Sequence, residues 1–265
     1  MGRLSTATRV RHISVGEGVR SAYRPVRLIE EATLTVNAHG ARIFSTSRLP
    51  GHDVELVNGF LLGEEIIKDK SEVRKASFCG GADANGTNPY NTLDVELSPT
   101  ATIRLAAYQA IATAQSCGVK APSTPHAPMR TVSPLTLAAD ALVALPGQVK
   151  AKAAMWNKTG AGVQAAVVRG GQLHLVREDV TTLGAVDKVI GALLIDDQPT
   201  AGSLLFVGGS LAEGVVKHAL RAGFSAIAAT GSPTASVVKL CKEAGAALVT
   251  DLDEGGFNLY NGTLA

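Results

Sequence analysis

A single cysteine in a proline-rich loop is the residue of this chain best suited to nucleophilic chemistry. Cys117 opens the run Cys-Gly-Val-Lys, and Lys120 stands three residues after it. A thiol reacts as its thiolate, and a nearby ammonium group favours that form. The prolines that follow, Pro122, Pro125 and Pro128, indicate a long exposed loop. The sequence therefore predicts either an accessible Cys117 that Lys120 activates electrostatically, or a loop in which Cys117 has no chemical role.

A group of charged residues marks the point where a strand gives way to a helix. Arg177 and Asp179 end an extended pattern, and Asp187 and Lys188 lie early in the helical pattern that follows. A threonine at position 181 or 182 can cap this helix. In open α/β sheets, ligands bind where strands hand over to helices. The sequence therefore predicts a functional crevice at this junction.

Two turns of small residues precede two later helices. One is Gly208-Gly209-Ser210, and the other runs from residue 230 to 234 with Ser232 at its centre. Glycines let a phosphate approach the backbone, and the N–H groups of a helix N-terminus bind anions. Two such turns side by side would accommodate the two phosphates of a nucleotide-containing cofactor. A plain capping turn is the alternative explanation of each, since neither turn is a Gly-x-Gly-x-x-Gly run or a P-loop.

Alternating strands and helices are expected to position these residues. The strand patterns are apolar on both faces, which is typical of a parallel or mixed sheet covered by helices. The pattern predicts a hairpin at 163–169 and 173–176, strands at 203–207, 226–230 and 247–250, and helices at 211–222 and 234–244. Two earlier helices are predicted at 134–146 and 149–157. Trp156 and Cys241 are expected in the core, and His218 is expected to face solvent.

The first part of the chain predicts a smaller α+β portion. Residues 1–25 alternate basic and polar side chains, which predicts a frayed end or an edge strand. Residues 30–44 form a hairpin pattern, and Asp53 can cap a helix that ends near Gly63. We expect an N-terminal α+β portion at 1–100, a cysteine-bearing loop at 101–131 and an α/β core at 132–265.

Bulk composition excludes several classes of protein. A length of 265 residues with 46% hydrophobic content suffices for a sizeable core, and a net charge of +2 gives no reason to expect nucleic-acid binding. No apolar run reaches the ~18 residues of a membrane span, and the N-terminus lacks the apolar region of a secretory signal. Three distant cysteines, Cys79, Cys117 and Cys241, fit neither a disulfide framework nor a metal site. We expect a cytoplasmic protein without a metal ligand set.

Several motifs resemble the FdhD family of formate dehydrogenase accessory sulfurtransferases. The run Val-Arg-Glu-Asp-Val at 176–180, followed by Ala-Val-Asp-Lys-Val-Ile-Gly at 185–191, is similar to the signature of that family. Residues 48–67, 78–97 and 256–260 extend the resemblance over most of the chain. It implies an α/β protein in which a three-layer α/β/α domain, similar to cytidine deaminases, follows the smaller N-terminal portion.

The resemblance also implies a function. The protein would accept persulfide sulfur from a cysteine desulfurase on Cys117 and pass it to a molybdenum bis-pterin guanine dinucleotide cofactor, bound transiently, for a formate dehydrogenase. A homodimer is implied as well. The residues expected to help hold the cofactor, or a guanine nucleotide, are Arg177, Asp179, Asp187, Lys188, Gly208, Gly209, Ser210 and Ser232.

Some positions depart from the pattern of the family. Lys120 replaces the second cysteine of a Cys-Gly-Val-Cys loop, Gln164 replaces a histidine, and Gly208-Gly209-Ser210 replaces Ser-Gly-Arg. Each lost charge-assisted phosphate contact is worth ~1.5–3 kcal/mol, so weaker anion binding is expected.

The loop that carries Cys117 either works with one cysteine or has lost its chemistry. Two hypotheses follow: a one-cysteine sulfur carrier, or a binding protein for a nucleotide, the molybdenum cofactor or the dehydrogenase. A zinc deaminase fails, because no His-x-Glu run is paired with Pro-Cys-x-x-Cys.

Overall fold

The computed structural model describes residues 3–16, 18–78, 89–116 and 131–265. It begins with a long antiparallel ribbon of β1 (Ser5–Val15) and β2 (Val19–Ile29). Among the described residues, these two strands pair only with each other. The prediction of a frayed end is therefore wrong. The alternative, an edge strand, is correct in that the segment is extended, but the segment forms two strands that pair with each other.

A four-stranded sheet follows the ribbon. Its strands are β3 (Ala32–Ala38), β4 (Ala41–Arg48), β5 (Val73–Phe78) and β6 (Thr92–Leu97), in the order β4-β3-β6-β5 with β3 and β6 parallel. Helix α1 (Asp53–Gly63) packs on this sheet through Leu56 and Leu61, which meet Leu34 and Leu93 in one hydrophobic cluster. Helix α2 (Pro99–Ser116) contributes Leu105 to the same cluster.

A six-stranded sheet forms the centre of the second half. The elements of this half are β7 (Thr136–Leu137), α3 (Ala139–Lys152), α4 (Ala154–Thr159), β8 (Val163–Arg169), β9 (Gln172–Asp179), α5 (Thr182–Ile195), β10 (Ser203–Val207), α6 (Glu213–Ala222), β11 (Ala226–Ala229), α7 (Ala235–Ala244), β12 (Ala247–Thr250), β13 (Asn258–Asn261) and β14 (Thr263–Leu264). The strand order is β13-β12-β11-β10-β8-β9, with β10, β11 and β12 parallel.

Successive side chains of these strands point to opposite faces, and both faces are buried. Leu205 and Ile227 pack against α5, α6 and α7. Leu204 and Ala226, the residues just before them, pack against α3 on the other side. This confirms the predicted three-layer α/β/α arrangement and explains why the strands are apolar on both faces.

Helix α3 runs through Pro146, where the sequence predicted the end of one helix before the start of another. Proline in a helix removes one hydrogen bond and crowds the preceding turn. Pro146 is nevertheless buried with Leu142, Leu145 and Val149 on the face that meets the sheet. Burial of that face outweighs the local preference of proline.

The two halves meet where α1 crosses α5 with almost no space between the backbones. A Cβ at Gly59 would lie 1.9 Å from the carbonyl oxygen of Asp187, and a Cβ at Gly191 would lie 1.8 Å from that of Glu55. Only glycine permits this approach.

The predicted boundaries at 1–100, 101–131 and 132–265 remain a prediction. In the described part of the chain, no helix has both the length and the apolarity that crossing a bilayer would need.

Candidate functional site

The two turns of small residues lie side by side at the edge where the parallel strands end. The turn Gly208-Gly209-Ser210 follows β10, and the turn around Ser232 follows β11. The N–H of Gly231 donates to the oxygen of Gly209 at 3.1 Å. A Cβ at Gly231 would lie 2.6 Å from the nitrogen of Ser210, so this contact requires glycine. The expected adjacency of the two turns is therefore present.

The hydroxyl of Ser232 is engaged with a carboxylate. It donates to Asp251, which also accepts from Asn258 Nδ2 at 2.9 Å and from Thr250 Oγ1 at 3.0 Å. The hydrogen bond from Ser232, with those from Asn258 and Thr250, lowers the pKa of Asp251. A carboxylate at this place opposes an anion beside Ser232, so the turn after β10 is the better place for a phosphate.

A cavity of about 160 Å³ opens beside Gly208. The N–H of Gly208 donates to the carbonyl of Gln164 at 2.7 Å, and a Cβ at Gly208 would lie 2.8 Å from Oε1 of Gln164. A side chain at position 208 would therefore collide with Gln164, so this part of the cavity wall requires glycine. The lining residues are Pro146, Val149, Lys150, Trp156, Gln164, Phe206, Gly208 and Thr230.

Trp156 faces this cavity and is only half-buried, so the prediction that it belongs to the core is wrong. The Nζ of Lys150 lies 5.8 Å from the centre of its ring. Glu178 fixes the backbone here, because its carboxylate accepts from the N–H groups of Met155 at 2.9 Å and Trp156 at 2.7 Å.

Arg177, one residue before Glu178, points to the opposite face of β9 and binds α1. Its guanidinium makes a two-pronged contact with Glu55, with distances of 2.5 and 2.9 Å. Burial alone would raise the pKa of Glu55, but hydrogen bonds and charge from His52 and Arg177 lower it to about 2.

Asp179 and Lys188 form an ion pair inside the protein. Lys188 Nζ lies 2.6 Å from Oδ2 of Asp179 and donates to the carbonyl oxygens of Leu49 at 2.8 Å and Glu178 at 3.2 Å. The other oxygen of Asp179 accepts from the N–H of Thr181 at 3.2 Å. Thr181 in turn caps α5 by accepting from the N–H of Gly184, which confirms one of the two predicted caps.

Asp187 pairs with His218, which sequence reasoning expected in solvent. His218 is 2% exposed, so that prediction is wrong. Its Nδ1 lies 2.7 Å from Oδ1 of Asp187, and its Nε2 lies 3.3 Å from Oε1 of Glu64. Burial alone would lower the pKa of His218, but these two carboxylates raise it to about 9. The sequence does not indicate that His218 is buried and paired, because its two partners are 31 and 154 residues away along the chain.

The structure thus separates the predicted cofactor residues into two groups. Gly208, Gly209, Ser210 and Ser232 lie at the open edge of the sheet, whereas Asp179, Asp187 and Lys188 are closed off from solvent and Arg177 is largely buried. The closed group is paired within the protein. Arg177 joins β9 to α1, the Asp179–Lys188 pair joins β9 to α5, and Asp187 joins α5 to α6. We therefore assign these residues a positioning role in place of direct contact with a cofactor.

The predicted catalytic residues, Cys117 and Lys120, lie outside the described residues, as does Cys79. Helix α2 ends at Ser116, one residue before Cys117. Cys241 is buried in the core as predicted, and burial raises the pKa of its thiol to about 12. An inert thiol of this kind is not a sulfur carrier.

Comparison with known proteins identifies what the chain is similar to. The profile of the FdhD/NarQ family matches residues 29–264. A protein from Mycolicibacterium paratuberculosis named sulfur carrier protein FdhD is 34% identical over 268 residues, which cover 97% of each chain. A protein of the same name from Nocardia farcinica is 35% identical and covers 98% of this chain and 94% of its own.

A solved structure shares the fold. It is the crystal structure of a putative formate dehydrogenase accessory protein from Desulfotalea psychrophila, with a TM-score of 0.74 and 20% sequence identity. The similarity covers 98% of this chain and 97% of the other.

Proposed function

Since the chain belongs to the FdhD/NarQ family, we propose that it is a sulfur carrier for the maturation of a formate dehydrogenase. The observation that carries the proposal is the similarity over nearly the full length of both chains to relatives named sulfur carrier proteins. Cys117 would take sulfur from a cysteine desulfurase and pass it to the molybdenum of a bis-pterin guanine dinucleotide cofactor. The protein would work in the cytoplasm as a homodimer.

Loading of sulfur needs only one cysteine. The thiolate of Cys117 attacks the outer sulfur of a cysteine persulfide on the desulfurase. A persulfide forms on Cys117, and the desulfurase cysteine leaves as a thiolate, so the step consumes no oxidant or reductant. Lys120 would favour the attacking thiolate. The replacement of the second family cysteine by Lys120 is therefore compatible with this step.

We further propose that the cavity beside Gly208 receives part of the cofactor. The aromatic face of Trp156 suits a base or pterin ring, the ammonium group of Lys150 suits a phosphate, and the glycine turn lets that phosphate approach. Pockets for whole drug-sized ligands measure about 300–1,000 Å³. At about 160 Å³ this cavity fits one ring system or one phosphate group. The rest of a dinucleotide would extend over the turns.

The test is persulfide transfer in a purified system. The protein is incubated with a cysteine desulfurase, its coenzyme and cysteine, and peptides are examined by mass spectrometry for an added sulfur. We expect the adduct on Cys117, its loss in Cys117→Ala, and slower loading in Lys120→Gln at pH 7. Cys241 is the internal control, because its buried thiol should remain unmodified.

The second candidate function is a binding protein without sulfur transfer, and the replacement of the second cysteine by Lys120 is the observation that favours it. It predicts no adduct on Cys117 although that cysteine still reacts with iodoacetamide. That outcome would overturn the sulfur-carrier proposal, and ligand binding at the cavity would then decide for the second candidate.

A further inference from the structure

The ribbon of β1 and β2, called the arm from here on, exposes an unusual amount of apolar surface. Val15 is 83% exposed, Val19 is 75% exposed and Tyr23 is 72% exposed, and Ile13 and Leu28 are about half exposed. An isolated pair of strands is marginally stable in water, and exposed strand edges invite pairing with another chain. Among the described residues, neither β1 nor β2 pairs with any third strand.

The arm also carries the positive charge of the protein. Residues 5–29 contain five arginines and one glutamate, whereas the rest of the chain contains 20 basic and 22 acidic side chains. The arginines are Arg9, Arg11, Arg20, Arg24 and Arg27. The body of the molecule is therefore slightly acidic, and the arm is distinctly basic.

The composition of the arm is that of a protein-binding surface. Arginine and tyrosine are enriched at the centres of protein interfaces, and lysine is depleted there. Residues 5–29 contain no lysine. Cross-strand pairing places Arg11 opposite Tyr23 and Arg9 opposite Pro25, so guanidinium groups of β1 lie beside apolar side chains of β2 on one face.

The base of the arm lies beside the candidate cavity. Strand β2 packs against α4, the short helix that carries Trp156. The Cδ1 of Ile29, the last residue of β2, lies 3.0 Å from the place of a Cβ at Gly162. Gln164, two residues further along, lines the cavity. A protein held by the arm is thus anchored next to the site from which a cofactor would be handed over.

We propose that the arm is the docking site for a protein partner whose contact surface combines acidic side chains with an apolar patch. The inference rests on the proposed function for the identity of that partner, the formate dehydrogenase that receives the cofactor. Complementary charge speeds the encounter and fixes orientation, and the exposed tyrosine and valines supply the contact that persists in salt. The arm is long, and in the described part of the chain no other strand pairs with either of its edges, so the partner can contact a face or add a strand.

The test compares two triple variants that remove equal charge. Arg9→Gln/Arg11→Gln/Arg27→Gln neutralises the face of the arm that carries Tyr23. Arg74→Gln/Lys239→Gln/Lys242→Gln neutralises exposed residues elsewhere. Binding of each full-length variant to purified formate dehydrogenase lacking its cofactor is measured by calorimetry at low and moderate salt. Tyr23→Ser, which keeps all arginines, tests the apolar contact separately.

We expect the arm variant to bind at least tenfold more weakly than the native protein, with the difference shrinking as salt rises. Tyr23→Ser should weaken binding at least fivefold at both salt concentrations, and the control variant should bind within twofold of native. Equal affinity of all variants, or no binding by the native protein, would overturn the inference.

Loading of sulfur on Cys117 is measured on the same samples. Failure of the inference that the arm docks the dehydrogenase can therefore be distinguished from failure of the sulfur-carrier proposal. Circular dichroism and the unfolding midpoint show whether each variant is folded. A single-stranded RNA or a DNA duplex is the second probe. If the native arm binds either one and the dehydrogenase does not bind, the arm is a nucleic-acid site and the inference is wrong.

Discussion

The Nζ of Lys188 lies 2.6 Å from Oδ2 of Asp179, and the two side chains are 1% and 0% exposed. Lys188 also donates to the carbonyl of Leu49, the residue just before the turn that leads into α1. This one ammonium group therefore joins the N-terminal half to the end of β9 and the start of α5. The pair is expected to matter for stability in the first place, and for ligand binding only through the position of α5.

Lys188→Met keeps most of the length of the side chain but leaves the carboxylate of Asp179 buried without a neutralising cation, with only the N–H of Thr181 as a hydrogen-bond donor. We expect a loss of about 3–5 kcal/mol in the free energy of unfolding, measured by urea denaturation. The double variant Asp179→Asn/Lys188→Met removes the lone charge and should recover part of that loss. Lys239→Met, at an exposed lysine paired with Glu243, should change stability by less than ~1 kcal/mol. A small effect of Lys188→Met would contradict the assigned positioning role.

Gly59→Ala should destabilise the protein because the new methyl group would collide with the carbonyl of Asp187. Overpacking of this kind costs about 1–3 kcal/mol, and contact with rigid backbone favours the upper end. Gly214→Ala is the matched control: this glycine lies in α6 with open space around it, so alanine should be neutral or slightly stabilising. Thermal unfolding of both variants tests this prediction. Equal unfolding midpoints of the two variants would refute the close crossing of α1 and α5.

Protonation of His218 should make stability depend on pH. Its pKa is raised from 6.5 to about 9 in the folded protein, so the stabilisation is fully present below pH 6.5 and is lost as the pH rises toward 9. The shift corresponds to about 3 kcal/mol. The free energy of unfolding, measured from pH 6 to 9.5, should fall by that order in the native protein. His218→Asn should flatten the curve, whereas His174→Asn, at an exposed histidine, should leave it unchanged. The same slope in all three proteins would exclude His218 as its source.

The single tryptophan of the chain lies in the cavity wall, so its fluorescence reports on binding there. We expect GDP to quench the emission of Trp156 in a saturable way. Gly208→Ala should weaken that binding severalfold, because the methyl group displaces the amide of Gln164. Gly214→Ala should bind GDP as the native protein does. A fluorescence change that is absent, or that Gly208→Ala leaves intact, would remove the cavity from the cofactor proposal.

Local patterns in the sequence predict much of this fold, and contacts between distant residues account for the rest. The end of β9, the cap at Thr181 and the three-layer arrangement follow from residue alternation and capping chemistry. The continuation of α3 through Pro146 depends on burial against the sheet, which no short window contains. The charged run suggested an open ligand crevice because the partner of Arg177, Glu55, is 122 residues away.

The wrong prediction that Trp156 belongs to the core has a related cause. A lone tryptophan in an apolar helix is usually a core residue, and only the fold shows that α4 lies over the ends of β8 and β10. The turns after β10 and β11 are the part of the candidate site that the sequence places best, because the need for glycine there is local. Their adjacency could be expected from the order of parallel strands alone.

Three neighbouring residues of β9 each hold a different helix: Arg177 holds α1, Glu178 holds α4 and Asp179 holds α5. Because side chains alternate across a strand, inserting or deleting one residue would send each of these groups to the wrong side of the sheet. The strand can therefore change its composition one position at a time, but it cannot change its length. In any comparison of this chain with its relatives, β9 should be the place where gaps are not tolerated.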